Sequence, residues 1–62
     1  SRKNGPADKA GMKKGDIIIE INTKKIRNIY DYMARLAELK SGDKIIVKII
    51  RNKIEMELIL DL

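Results

Sequence analysis

Alternation of apolar and polar residues is most regular in the last third of the chain. Residues 44–51, KIIVKIIR, predict a strand with apolar residues on both faces, and therefore one that is covered on much of both sides. One face of this strand carries Ile45, Val47 and Ile49. Residues 54–61, IEMELILD, alternate apolar with mostly acidic positions and predict a half-exposed strand. Asn52-Lys53 forms the expected turn, with Asn52 at positive φ, so the two segments predict a hairpin with basic and acidic side chains paired across it.

A third alternating segment, residues 17–21, predicts another strand nearer the start of the chain. Its sequence is IIIEI, and a regular strand would place Ile17, Ile19 and Ile21 on one face and Ile18 and Glu20 on the other. Residues 13–16, KKGD, predict a turn before this strand, and residues 22–24, NTK, predict a turn after it. Residues 25–27 are long enough for only a stub of a further strand.

The residues before the first strand predict a helix of little more than one turn. Gly5 is suited to the N-cap, Pro6 to the first helical position, and Gly11 to the left-handed conformation that ends a helix. The alanines between them are small, so this turn can lie close against a sheet. Met12 follows the terminating glycine and is expected to enter the core.

A longer helix is predicted over residues 29–39, IYDYMARLAEL, with Asn28 as its N-cap. Asp31 lies in its first turn and is expected to pair with Arg35 one turn later.

Two apolar stripes run along the longer helix and overlap at Leu36. Tyr32, Leu36 and Leu39 form one stripe, and Ile29, Met33 and Leu36 form the other. An apolar arc this wide is typical of a helix buried in a core. It is also typical of a helix that forms one wall of a binding groove, and the sequence leaves both interpretations open.

Composition narrows the chemistry that the chain can perform. The 62 residues correspond to one domain, 1–62, or to a piece of one, and contain no cysteine and no histidine. The usual general base, the usual metal ligand and any thiolate site are therefore missing, and Ser41 lies in a short polar turn without a histidine to activate it. The carboxylates show no calcium-loop spacing. We therefore expect a non-catalytic chain with no catalytic residue, no metal site and no cofactor.

The net charge of +5 raises the question of anionic partners. Lysines are spread along the chain rather than massed in one tract, and only two tyrosines are available to stack on bases. We therefore expect no nucleic-acid partner and interpret the charge as a lysine-rich surface. No apolar run approaches the roughly 20 residues of a membrane span, so no direct membrane insertion is expected.

Three segments together resemble a PDZ domain of the bacterial, protease-associated type. GPADKAGMKKGDIIIEIN resembles the family stretch in which a one-turn helix, Ala-Gly, Gly-Asp and a strand follow at fixed spacing. KKIRNIYDYMARLAELKSGDKI resembles the family's groove helix and the turn after it, and VKIIRNKIEMELIL resembles its closing hairpin. Zinc aminopeptidases, high-temperature-requirement proteases and C-terminal-processing proteases are the host enzymes that the resemblance suggests.

The resemblance implies an α+β fold: a small, antiparallel, partly open β-barrel or sandwich with one short and one longer helix. It also implies that the domain is incomplete at its N-terminus. In the family, a carboxylate-binding loop and a peptide-pairing strand precede the first of these motifs. An open sheet edge would follow from their absence, so we expect self-association or strands supplied by other residues.

In function, the resemblance implies a peptide-binding module of a larger, protease-type protein. Ile29, Met33 and Leu36 would face the ligand, an extended or C-terminal peptide with apolar side chains. The expected partners are such peptides and a protease domain in the same parent chain. The expected localisation is periplasmic, cell-envelope or extracellular. The alternative is a structural or oligomerisation domain with the same fold and no peptide ligand.

Overall fold

The structure, a computed structural model, describes residues 3–62 as one antiparallel sheet with two helices. The elements are α1 (Pro6–Lys9), β1 (Ile17–Ile21), β2 (Lys24–Lys25), α2 (Ile29–Leu36), β3 (Lys44–Arg51) and β4 (Ile54–Asp61). The strand order is β2-β1-β3-β4, so β3 lies inside the sheet and is paired on both sides. The predicted order of elements and the predicted α+β class are confirmed. The stub predicted over residues 25–27 lies one residue earlier, because Lys24 pairs with Ile21 as part of β2 instead of belonging to the turn.

The hairpin of β3 and β4 follows the predicted register along its whole length. All eight residues of each strand pair without a bulge, from Lys44 opposite Asp61 to Arg51 opposite Ile54. Asn52 and Lys53 adopt φ of 51° and 66°, which is the geometry of a two-residue turn with both residues at positive φ. The Nζ of Lys44 lies 3.1 Å from a carboxylate oxygen of Asp61, so this pairing of a basic and an acidic strand is confirmed.

The hydrophobic core lies on one face of the sheet. Its buried members are Ile21, Ile45, Val47, Ile49 and Leu60. The predicted inward face of β3 is therefore confirmed, and Ile49 is 0% exposed. The opposite face is more open than predicted, because Ile46 remains 43% exposed there.

The face assignment predicted for β1 is wrong at its first residues. Ile18 lies opposite Ile49 and packs against the core, whereas Ile17 is 60% exposed. The register shifts between Ile18 and Glu20, so one extra residue of β1 is accommodated there. Such a bulge reverses the alternation on one side of it, and Ile18 and Ile21 consequently share the core side.

Hydrogen bonds between Arg51, Asp16 and Gly11, which we call the clamp, hold α1 and the following turn against the sheet. Arg51, at the end of β3, donates from Nε and Nη2 to the two carboxylate oxygens of Asp16 over 2.8 Å and 2.7 Å, and its Nη2 also donates to the carbonyl oxygen of Gly11 over 2.8 Å. Gly11 has a φ of 94°, as predicted for the residue that ends α1. The arrangement directs Met12 toward the core, which it contacts as expected.

The Asp16 side chain is only 2% exposed and is ionised within this clamp. Its pKa is lowered from 3.8 to about 2, first by the hydrogen bond from Arg51, against a smaller opposing effect of burial. A backbone hydrogen bond from Lys13 to the same carboxylate, 2.8 Å long, also favours the ionised form. Folding and the charge of Asp16 are therefore linked.

Helix α2 begins as predicted and ends three residues earlier than predicted. The side chain of Asn28 accepts a hydrogen bond from the backbone N–H of Asp31 over 2.9 Å, which confirms it as the N-cap. The helix ends at Leu36, not at residue 39. The next backbone N–H groups, of Glu38 and Leu39, donate to carbonyls three residues back, so the last turn tightens instead of continuing as α-helix.

The predicted pair of Asp31 with Arg35 is wrong. Asp31 instead accepts from the backbone N–H of Arg27 over 3.0 Å and from its Nε over 2.9 Å. These contacts hold the carboxylate at the helix N-terminus, where the helix dipole favours a negative charge. Arg35 lies near Glu38, with its Nε 3.5 Å from a carboxylate oxygen.

The sheet ends in two edges of unequal length within residues 3–62. The β2 edge has two residues, whereas the β4 edge has eight. Self-association through an open edge stays a prediction, and β4 is the edge long enough to take part in it. No helix in the part of the chain that the structure describes has the length and apolar character needed to cross a bilayer.

Candidate functional site

An apolar cleft opens between the two helices over the core face of the sheet. Its volume is about 270 Å³. It is lined by Ala7, Met12, Ile18, Ile21, Tyr32, Leu36, Leu39, Ile45, Val47, Leu60 and Leu62. The floor of this cleft is thus the core itself, and its two walls come from the segments around α1 and α2.

The α2 wall is open because this helix is covered on one side only. None of its eight residues is buried. Tyr32, together with Leu39 just beyond the helix, packs partly against the core, whereas Leu36 lies between them in sequence and is 43% exposed. A ligand that entered the cleft would therefore find apolar surface already facing it.

The three site residues predicted from the sequence are all exposed, at 59% for Ile29, 60% for Met33 and 43% for Leu36. Only Leu36 is among the residues that line the cleft. Ile29 and Met33 continue from it along the neighbouring exposed stripe of α2. The structure adds Tyr32 and Leu39 as lining residues. Their apolar stripe was visible in the sequence, but the sequence did not indicate which of the two stripes on the helix would face a cleft.

The side chains that line the cleft are suited to binding a ligand. No charged side chain among residues 3–62 lines it, and the only polar group on its lining side chains is the hydroxyl of Tyr32. In the same residues no three histidine, cysteine or acidic side chains lie close enough together to hold a metal ion. The cleft can receive apolar side chains, which gain free energy by leaving water.

A second concave surface lies beside β2 and the opposite side of α2. We call it the basic pocket; its volume is about 420 Å³ and it is lined by Lys24, Lys25, Arg27, Asp31 and Arg35. It shares no lining residue with the apolar cleft. The Asp31 carboxylate, its one acidic group, is held by Arg27, and this hydrogen bond lowers the pKa of Asp31.

A family model described as "PDZ domain" matches residues 2–62, which is almost the whole chain. The chain belongs to the PDZ domain family. The segment around α1 and β1, helix α2 and the hairpin of β3 and β4 all fall within the matched range. PDZ domains are non-catalytic modules, so the expectation of a chain without enzymatic function is confirmed.

The relatives of this PDZ domain are bacterial serine proteases. A protein of Rickettsia conorii named probable periplasmic serine endoprotease DegP-like is 44% identical over an alignment of 63 positions, which covers 92% of this chain and 11% of the relative. Serine protease Do-like HtrB of Bacillus subtilis is 39% identical over 50 residues, which cover 79% of this chain and 11% of the relative. The chain therefore spans only a small part of these curated relatives.

A solved structure agrees with the fold. The crystal structure of the serine endoprotease from Yersinia pestis superposes with a TM-score of 0.82 at 33% identity, over 94% of this chain and 21% of that chain. The predicted fold and the resemblance to protease-associated PDZ domains are confirmed. Of the host enzymes suggested by the sequence, these relatives represent the DegP and HtrA type.

Proposed function

We propose that this PDZ domain binds an extended polypeptide segment through apolar side chains and presents it to a serine protease domain of the same parent protein. The observation that carries the proposal is the open apolar cleft beside α2. Tyr32, Leu36 and Leu39 line it, and the floor is the buried face of the sheet. Helix-lined apolar clefts of this kind suit side chains of a bound peptide.

Within this proposal, Leu36 contacts the ligand from inside the cleft, and Ile29 and Met33 extend the contact along the exposed side of α2. Met33 is 60% exposed, and its unbranched thioether side chain adapts to apolar side chains of different shapes. A ligand with apolar residues at its contact positions follows from the absence of charged groups in the cleft lining among residues 3–62.

The proposed cellular location and parent protein are inferred from the relatives. The Rickettsia conorii and Bartonella henselae relatives are both named probable periplasmic serine endoprotease DegP-like. A periplasmic or cell-envelope location and a protease domain in the parent protein are therefore part of the proposal. Substrate peptides or C-terminal segments of other proteins would be the ligands.

The test is a calorimetric titration of the intact protein with a peptide that ends in apolar residues and a free carboxylate. We expect saturable binding that is weakened about tenfold, or ~1.4 kcal/mol, by Leu36→Ser. Tyr30→Ser is the matched control, since Tyr30 is 78% exposed on the same helix and lies outside the cleft. Absence of saturable binding, together with loss of assembly when the domain is deleted, would favour the structural alternative.

A further inference from the structure

We propose that the basic pocket is a second binding surface, which takes a carboxylate-rich segment of polypeptide. Four of its five lining side chains are cationic, and its one carboxylate, Asp31, is engaged by Arg27 at 2.9 Å. The pocket is therefore a concave surface with excess positive charge at the outer edge of the sheet. It is independent of the apolar cleft, with which it shares no lining residue.

Arg35 is a cation of the pocket that has an unsatisfied donor. Its side chain is 23% exposed, and its Nε is buried without a hydrogen-bond partner among the described residues. Buried donors of this kind are uncommon, because each one has lost its water without gaining a replacement. A guanidinium is also the group that best matches a carboxylate, since it donates in a planar fork.

Glu38 lies beside two cations of the pocket and shows that a carboxylate can approach both of them. Its two carboxylate oxygens lie 3.5 Å from Nε of Arg35 and 3.9 Å from Nζ of Lys24. Both distances are those of loose ion pairs, and the Glu38 side chain is 54% exposed. An exposed, loosely held carboxylate is readily displaced, so a carboxylate of a ligand can take its place.

The other side of α2 argues against a lipid surface as the occupant. Membrane-surface helices combine cations with exposed apolar residues that enter the bilayer together. On α2, Asp31 and Arg35 follow Ile29 and Met33 by two residues, which is a rotation of about 200° around the helix. The basic pocket and the exposed apolar stripe consequently face opposite directions and cannot meet one membrane plane at the same time.

The dimensions of the pocket favour an extended acidic segment. Its cations come from β2, from the segment before α2 and from α2 itself, and they surround about 420 Å³. That space exceeds the needs of a single small anion. β2 is the outer strand of the sheet, so an extended segment can lie along it with several carboxylates among the cations.

The test is a calorimetric titration of the protein with hexaglutamate at low ionic strength. We expect saturable binding that Lys24→Gln and Arg35→Gln each weaken by roughly two- to fivefold, because each removes one cation from the pocket. Glu38→Gln is expected to tighten binding by roughly twofold, since it removes the competing carboxylate. Lys14→Gln, which removes an exposed lysine elsewhere, is the matched control and should leave the affinity unchanged.

The outcomes of this titration distinguish binding in the basic pocket from nonspecific attraction to the positive charge of the protein. The proposal would be overturned if Lys14→Gln lost as much affinity for hexaglutamate as the pocket variants, or if no saturable binding occurred. It would also be overturned if Glu38→Gln bound hexaglutamate no more tightly than the unmodified protein. Tighter binding of phosphatidylglycerol vesicles or of oligothymidylate than of hexaglutamate would also overturn it. Lys24 is 58% exposed, so its variant keeps the test meaningful even if Arg35→Gln were to impair folding. Binding of apolar peptides in the cleft should be the same in Lys24→Gln as in the unmodified protein.

Discussion

Strand β3 and helix α2 are both eight residues long and rich in apolar side chains, yet the fold covers them very differently. β3 is paired on both sides and contributes three of the five buried core residues. α2 contributes none. Apolar content alone therefore does not distinguish a residue that stabilises this domain from one that is available for a ligand. What distinguishes the two kinds of residue is the number of structural elements packed around each one.

The largest expected effect lies in β3. Ile49→Ala should lower the free energy of unfolding by about 2–5 kcal/mol, because it removes a side chain that is 0% exposed and leaves a cavity. Urea denaturation followed by circular dichroism measures this loss. Ile17→Ala is the control on the neighbouring strand: Ile17 is 60% exposed, and a change within about 0.5 kcal/mol is expected. Equal losses in the two variants would mean that coverage does not govern stability here.

The next effect concerns the clamp of Arg51 with Asp16. The pKa of Asp16 is about 2 in the folded protein against an ordinary 3.8, so the folded state binds this proton less readily than the unfolded state. The stabilisation is therefore complete above about pH 4 and is lost as the pH falls from about 4 to about 2. Asp16→Asn should lower the melting temperature at neutral pH and flatten its dependence on pH in this range.

Thermal unfolding at several pH values between 2 and 7 checks that prediction. Asp61→Asn is the control, because it removes a carboxylate whose side chain is 75% exposed and also paired with a cation. If Asp16→Asn and Asp61→Asn gave parallel curves, the clamp would have no special role in acid sensitivity.

A smaller effect is expected at the start of α2. Asn28→Ala should destabilise the domain by about 1 kcal/mol, because the backbone N–H of Asp31 loses its acceptor. Asn28→Ser keeps an oxygen at the cap and should recover most of the loss. Chemical denaturation of the two variants measures the difference, and unchanged stability of Asn28→Ala would show that the cap contributes nothing at this position.

The regular parts of the fold could be predicted from the sequence. The hairpin of β3 and β4 was predictable because its alternation is uninterrupted and Asn52 tolerates positive φ. The cap at Asn28 was predictable because its hydrogen bond is local. In each case, neighbouring residues in the sequence decide the structure.

Contacts between distant residues decided the rest. Three consecutive isoleucines conceal the bulge in β1, because any residue in such a run can face the core. The pairing of Asp31 depended on the capping geometry before α2 rather than on its helical spacing to Arg35. Similarly, two apolar stripes on α2 were visible, but only the packing of Tyr32 against the core shows which one lines the cleft.

The division of roles between β3 and α2 is tested most directly by measuring affinity and stability on the same two variants. Met33→Ser should weaken binding of the apolar peptide by roughly two- to fivefold, because Met33 extends the contact from outside the cleft, and should change the free energy of unfolding by less than about 0.5 kcal/mol. Ile49→Val should lower the free energy of unfolding by about 0.5–1.5 kcal/mol and leave the affinity unchanged. The opposite pattern, with stability lost in Met33→Ser and affinity lost in Ile49→Val, would contradict the account.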